Sequence, residues 1–176
     1  MSTIFIIGQH RTGSTLLQNM LDAHSQIAMA FDEMNLFEPF RNNTLDKYLE
    51  KTKLTPAVFI ELLRKKKIYG TFWRKFEKSK ITYEELLSAL KGYKTLNEII
   101  ILNAVLELLR KKNNSKISGI KYPVHFRKVL YLLKDFSGSK IIFLTRNPKA
   151  IIASKINDTA TKQRKAKSKL HGFLIH

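Results

Sequence analysis

Residues 8–15, with the sequence GQHRTGST, carry the chemistry most easily recognised in this chain. They match the nucleotide-binding pattern G-x4-G-K-[ST] except that Ser14 stands where the lysine would be. Gly13 allows the backbone to approach an anion, and the N–H groups of residues 12–15 are expected to point outward at the positive end of a following helix. Further donors are the guanidinium of Arg11 and the hydroxyls of Thr12, Ser14 and Thr15. The pattern predicts a binding site for a phosphate group.

The missing lysine limits what this loop can do. In triphosphatases that lysine reaches the β- and γ-phosphates. Its replacement by Ser14 predicts a loop that binds a phosphate group but is poorly suited to ATP hydrolysis. The alternative interpretation is an ordinary glycine turn capped by serine and threonine side chains.

A second pair of polar residues is separated by eight positions. Arg146 follows the predicted strand of residues 140–145, at the carboxyl end of the strand, where ligands of open α/β sheets bind. Asn147 and Pro148 are typical of a helix N-cap and first helical position, which places Ser154 two turns into that helix. The alternative is an exposed arginine and an incidental helix serine.

Short apolar runs and helical spacing predict the elements that must position these residues. Strands are predicted at residues 3–7, 116–121 and 140–145, the last being the clearest buried strand of the sequence. Helices are predicted over residues 14–23, 96–109, 126–134 and 148–157, with further helix starts at Thr55-Pro56 and in the capping box of residues 82–85. Alternating strands and helices predict an α/β, P-loop-like, three-layer fold with a parallel sheet and a helical insertion at about residues 44–112.

Composition bounds the remaining possibilities. The 176 residues, 44% hydrophobic and 26% charged, are expected to form a single domain, residues 1–176. The absence of cysteine excludes a disulfide framework, a thiolate metal site and a cysteine nucleophile. Neither a signal peptide nor a run of roughly 18 apolar residues is present, so we expect a soluble, cytoplasmic protein without a membrane span.

The charge is large and unevenly distributed. The net charge is +18, and residues 110–176 hold 17 basic and two acidic residues, whereas residues 1–109 hold 15 and 12. Such asymmetry predicts an anionic partner of some kind. The tail at about residues 159–176 is basic, and residues 162–169 contain five bases, no acid and no apolar stripe, which predicts a mobile segment.

Three segments together resemble the PAPS-dependent sulfotransferases, where PAPS is 3′-phosphoadenosine-5′-phosphosulfate. They are residues 11–16 (RTGSTL), residues 21–24 (LDAH), which are similar to the Golgi-type and tyrosylprotein branches, and residues 146–154 (RNPKAIIAS). The resemblance covers about residues 3–38 and 116–158. It implies a metal-free transfer of a sulfuryl group from PAPS to a hydroxyl of a small molecule, carbohydrate or peptide. The cofactor-binding residues that it implies are Arg11, Thr12, Gly13, Ser14, Thr15, Leu16, Arg146 and Ser154.

The same resemblance implies which residues are catalytic. Lys121 corresponds to the family's lysine that donates to the bridging oxygen, and Arg11 combines binding with charge stabilisation. The cytosolic branch has its histidine base two residues after that lysine, where this chain has Pro123. The Golgi-type branches use a glutamate after the first helix, which makes Glu33 the expected base and Asp32 the alternative.

Other functions remain open at this stage. A P-loop nucleotide kinase is disfavoured by the missing lysine, and a basic RNA-binding or polyanion-binding module is disfavoured because the chain has no RRM-type aromatic motif and no KH-type loop. The chain is also shorter than the family's usual length. The resemblance therefore implies either a C-terminally truncated form, which would bind the cofactor without full activity, or a replaced closing segment.

Overall fold

The structure is a computed structural model that describes residues 2–30, 55–65, 76–122 and 129–157. Asp32, Glu33 and the basic tail at residues 159–176 lie outside these ranges. So do the predicted helical residues 126–128.

The described elements alternate between strands and helices, apart from a helical stretch between the second and third strands. The strands are β1 (Ser2–Gly8), β2 (Ile27–Met29), β3 (Ile117–Tyr122) and β4 (Lys140–Leu144). The helices are α1 (Ser14–Asp22), α2 (Pro56–Arg64), α3 (Tyr83–Leu90), α4 (Glu98–Lys112), α5 (Val129–Asp135) and α6 (Pro148–Ile156). The described parts of residues 44–112 are thus largely helical, as the sequence predicts.

All described strands pair in parallel, in the order β2-β3-β1-β4. Because β1 lies between β3 and β4, the loop that follows it opens at the carboxyl edge of the sheet between two neighbouring strand ends. This is the position at which doubly wound sheets bind ligands. The predicted parallel α/β fold is confirmed.

Alternate side chains of β1 pack on opposite faces of the sheet. The sheet therefore forms the middle layer of three, with helices on each side. Ile4 and Ile6 belong to the smaller cluster, against which α1 packs. Phe5 and Ile7 belong to the larger cluster, formed with the helices of the other face. Residues that alternate between two buried faces are expected for a central parallel strand.

The prediction that residues 140–145 form the clearest buried strand is wrong in its burial. The strand exists as β4, but its residues are half-buried or exposed, and the Phe143 side chain is 55% exposed. Within the described sheet β4 is the last strand and pairs only with β1, so an apolar run did not distinguish an edge strand from a central one. The fully buried strand is β1.

Helix α4 confirms the helix predicted over residues 96–109. The fully buried residues on it are Ile101, Leu102, Val105 and Leu106. The predicted caps are also present: Thr55 Oγ1 accepts from the Val58 N–H, Thr82 and Glu85 form the capping box, and Asn147 Oδ1 accepts from the Lys149 N–H. Strand β2 was not predicted, because three apolar residues after a turn carry no periodic signal.

Candidate functional site

The loop between β1 and α1 is built from unusual backbone conformations. Gly8 has φ 144°, Arg11 has φ 71° and Gly13 has φ 95°. At Gly8 a Cβ atom would lie 2.3 Å from the Leu144 carbonyl oxygen, so only glycine allows β1 and β4 to approach here. Successive turns of this kind expose backbone N–H groups on one side, which makes an anion-binding concavity.

The first turn of α1 faces this concavity. Gly13 is the N-cap residue and has no side chain to satisfy the helix end. The first hydrogen bond of the helix runs from Leu17 N to Gly13 O at 3.0 Å. The N–H groups of Ser14, Thr15 and Leu16 therefore belong to the set that an α-helix leaves for an external acceptor. A phosphate or sulfate group is the acceptor that such a helix end suits best.

The loop hydroxyls are engaged differently from one another. Thr12 Oγ1 donates to the Gln9 carbonyl at 2.8 Å, a contact within the loop itself. Ser14 is buried at the start of α1, whereas Thr15 is exposed. In this structure the Thr12 hydroxyl therefore stabilises the loop, and its predicted contact with a phosphate stays a prediction.

Lys121 reaches the loop from the neighbouring strand. It lies near the carboxyl end of β3, is 4% exposed, and its Nζ donates to Thr15 Oγ1 at 3.0 Å. A buried ammonium group needs polar or charged partners, because the charge has been removed from water. The parallel pairing of β1 with β3 brings this charge beside the first turn of α1, and the catalytic role of Lys121 stays a prediction.

Arg146 reaches the same loop from the other side. It follows β4, is exposed, and its Nη1 donates to the Arg11 carbonyl oxygen at 3.1 Å. It also lines a pocket of about 380 Å³ between the end of β4 and helix α6. Further lining residues are Gln9, Phe143, Ile151, Ile152 and Lys155. Two of the predicted cofactor residues, Arg11 and Arg146, are thus in direct contact.

Two other predicted cofactor-binding residues, Ser154 and Leu16, make no side-chain contact with the pocket beside Arg146. Ser154 lies on α6, two turns after Asn147, and is half-buried; it is not among the residues that line the pocket beside Arg146. Leu16 begins the exposed side of α1 and is 67% exposed. Its backbone N–H points out of the helix end, so the contribution expected of Leu16 is that of its amide.

Two functional candidates were missed by sequence reasoning. The buried side of α1 is polar: Ser14 and Gln18 are its buried residues. The Gln18 side chain and the Asp22 carboxylate both bond to the backbone at the end of β2. In the sequence, Ser14, Gln18 and Asp22 form a polar i, i+4, i+8 series beside the apolar residues of the helix. Such a series does not by itself predict burial, because buried helix faces are usually apolar.

The described residues contain no group of histidine and carboxylate side chains that could hold a metal ion. Asp32 and Glu33, the candidate bases, are not among the described residues. None of the described helices has the length and apolar character needed to cross a membrane.

A parallel α/β sheet whose first strand runs into a glycine loop and an anion-binding helix end defines a P-loop-like nucleotide-binding protein. The chain belongs to the Sulfotransferase family, whose model matches residues 3–173, nearly its whole length. No curated protein matches it. The chain is accordingly a PAPS-dependent sulfotransferase, in agreement with the resemblance of its loop. The family match favours sulfuryl transfer over the functions of a nucleotide kinase or an RNA-binding module.

Proposed function

We propose that this protein transfers the sulfuryl group of PAPS to an acceptor hydroxyl by a metal-free mechanism of the Golgi-type and tyrosylprotein branches. The observation that carries this is the convergence of Lys121 and Arg146 on one loop, from the strands on either side of β1. In the transfer, a bond forms between sulfur and the acceptor oxygen while the bond from sulfur to the bridging phosphate oxygen breaks. The second product is adenosine 3′,5′-bisphosphate.

The N-terminal end of α1 is proposed to hold the 5′-phosphosulfate. The amides of Ser14, Thr15 and Leu16 supply donors, Gly13 leaves room for the anion, and the Arg11 guanidinium adds positive charge. The Ser14 and Thr15 hydroxyls lie at the same end of the helix. This fit rests on helix amides that an anion would satisfy and on a buried cation beside them, features that an ordinary capped glycine turn does not require.

On the opposite side of the loop, Arg146 is proposed to hold the 3′-phosphate together with Ser154. Its bond to the Arg11 carbonyl places the guanidinium group between the loop and the pocket at the end of β4. For Ser154 the support is its position on α6, the helix that follows Arg146, and the resemblance of residues 146–154 to the family's 3′-phosphate motif.

Lys121 is proposed to act on the leaving group. Its ammonium bonds to Thr15 at the helix end proposed to hold the phosphosulfate, and there it would stabilise the negative charge that develops on the bridging oxygen as the bond to sulfur breaks. A positive group held in a buried site is more effective there than one in water, because water does not screen it.

Glu33 is proposed to accept the proton of the acceptor hydroxyl, with Asp32 as the alternative. Pro123 occupies the position of the cytosolic-branch histidine, which leaves the acidic pair after β2 as the candidates that the motif supplies. The end of β2 at Met29 is only three residues before Asp32. The acceptor remains defined by its chemistry alone, as a hydroxyl compound.

Calorimetric titration with adenosine 3′,5′-bisphosphate, ATP and a single-stranded RNA tests the proposal. The bisphosphate should bind in preference to both others. The Ser14→Lys variant restores the lysine of the nucleotide-binding pattern and serves as the comparison, since a site for ATP would gain affinity from it. Tighter binding of ATP than of the bisphosphate by the natural chain would refute the assignment.

A further inference from the structure

Two side chains of α1 hold the end of β2. Gln18 Nε2 donates to the Ala30 carbonyl at 2.9 Å, and Asp22 Oδ1 accepts from the Met29 N–H at 2.7 Å. Met29 and Ala30 are successive residues, held at an amide and at a carbonyl respectively. Their partners, Asp22 and Gln18, are one turn apart on α1. We call this pair of bonds the α1–β2 clamp.

Strand β2 needs such support. It has three residues, and in the described sheet it pairs only with β3. One more bond, from Ala30 N to the Gly119 carbonyl at 2.7 Å, continues the pairing beyond its last residue. With so few bonds, the direction in which the chain leaves β2 depends strongly on the contacts made by α1.

The burial of Gln18 indicates that its amide serves the clamp. Gln18 is 7% exposed, and its Oε1 has no hydrogen-bond partner among the described residues. A buried polar atom without a partner lowers stability. A methionine of similar length would avoid that cost but would lose the bond to Ala30. What the buried amide supplies is therefore the bond from its Nε2 to the Ala30 carbonyl.

We infer that Gln18 and Asp22 are positioning residues for catalysis, linking the helix that holds the phosphosulfate to the segment that carries the base. The inference rests on the proposed function. Asp32 and Glu33 follow Ala30 by two and three residues in the sequence. Fixing Ala30 to α1 therefore fixes the point from which the segment with both acidic residues starts.

The decisive variant is Gln18→Met. It should lower kcat by roughly 10- to 100-fold, since a displacement of about 1 Å of a reacting group has an effect of that size. The dissociation constant of adenosine 3′,5′-bisphosphate, measured by calorimetry, should stay within about twofold. The rate that is measured is the release of the bisphosphate from PAPS. Three acceptors are compared, namely 4-nitrophenol, N-acetylglucosamine and N-acetyltyrosine amide, and the one with the highest rate is used. If none of them reacts, water serves as the acceptor.

Two control variants separate positioning from loss of stability. Gln26→Met makes the same chemical change in the turn before β2, outside the clamp, and should leave kcat unchanged. Leu90→Ala truncates a buried residue of α3 and should lower the melting temperature without a comparable loss of kcat.

Asp22 provides a rescue test. Asp22→Asn keeps an oxygen that accepts from Met29 N, and it should retain activity, whereas Asp22→Ala should lose kcat as Gln18→Met does. In Asp22→Ala the Met29 amide should also exchange its hydrogen faster, because its acceptor is gone.

The outcomes distinguish this inference from the function on which it rests. A natural chain that is active, with unchanged kcat in Gln18→Met or unchanged Met29 exchange in Asp22→Ala, overturns the clamp alone. A natural chain that does not bind the bisphosphate, or that binds it but releases none from PAPS, overturns the proposed function, and the catalytic purpose of the clamp with it.

Discussion

Lys121 Nζ and Thr15 Oγ1 are 3.0 Å apart, although the two residues are separated by 106 positions in the chain. Thr15 stands in the first turn of α1, and Lys121 stands near the end of the strand beside β1. The bond holds a buried positive charge against the helix end that faces the predicted phosphosulfate. An anion bound there would meet both the helix amides and the ammonium group.

Replacing Lys121 by methionine should reduce turnover far more than cofactor binding. Methionine preserves the buried volume and removes the charge, and charge at the leaving oxygen matters most in the transition state. We expect kcat to fall by about 10²–10³-fold, with the affinity for adenosine 3′,5′-bisphosphate changed by less than about tenfold. Single-turnover kinetics and calorimetry measure the two quantities. Lys140→Met, at the exposed start of β4, is the matched control and should retain activity. A loss confined to binding would contradict the leaving-group role.

The Arg146→Ala variant should discriminate between two ligands that differ by one phosphate. Loss of a charge-assisted hydrogen bond predicts roughly a 10- to 100-fold weaker affinity for adenosine 3′,5′-bisphosphate. Adenosine 5′-monophosphate should be affected only to the small extent that the bond to the Arg11 carbonyl supports the loop. Lys155→Ala, which removes another positive charge from the same pocket, should show no such preference. Equal losses for both nucleotides in Arg146→Ala would remove the 3′-phosphate assignment.

Glu33→Gln should identify the base. If this carboxylate accepts the proton of the hydroxyl, its loss should lower turnover by about 10²–10⁴-fold and leave cofactor affinity nearly unchanged. Asp32→Asn is the matched control, and the larger loss of the two identifies the base. The dependence of kcat on pH should also lose its acidic limb in the inactive variant. Near-normal turnover in both variants would exclude this pair as bases.

Gly8→Ala should destabilise the fold. An alanine there would adopt an unfavourable φ of 144° and place its Cβ 2.3 Å from a backbone carbonyl, so β1 and β4 would have to separate. We expect a loss of about 1–3 kcal/mol in the free energy of unfolding, measured by urea denaturation. Gly92→Ala is the control, because no atom lies within 4 Å of its added Cβ; its stability should be equal or slightly higher. Equal stabilities of the two variants would argue against the close approach.

The capping box of α3 should make stability sensitive to acid. The Thr82 N–H donates to the Glu85 carboxylate at 2.6 Å and holds the pKa of Glu85 below its ordinary value of 4.5. The folded pKa is lowered, so this stabilisation is present above about pH 4.5 and is lost as the pH falls through the folded pKa.

Unfolding free energies of Glu85→Gln, measured between pH 7 and pH 3, should therefore fall less steeply than those of the natural chain. Thr82→Ala keeps the N–H donor and removes only the hydroxyl, so it should lose about 1 kcal/mol at neutral pH while retaining most of the pH dependence. An unchanged pH dependence in Glu85→Gln would show that the hydrogen bond has no such effect.

Elements with local signals could be predicted from the sequence alone. Gly8 and Gly13 in a loop between an apolar run and a helix predicted the phosphate site, and Thr82, Asn147 and Pro148 predicted helix starts, because turns and caps depend on residues close in the chain. The parallel sheet followed from the alternation of strands and helices.

The burial of individual apolar residues, and the bonds of polar residues across elements, depend on the packing of the folded chain and could not be predicted from local sequence. Phe143 lies in an apolar run and is exposed, because β4 stands at the end of the described sheet, whereas the polar Gln18 is buried. The contacts of Gln18 with Ala30 and of Lys121 with Thr15 depend on strand order and on the path of α1 over the sheet. Periodicity within one segment reports the preference of that segment for a structure, but its neighbours in space are set by the packing of the whole chain.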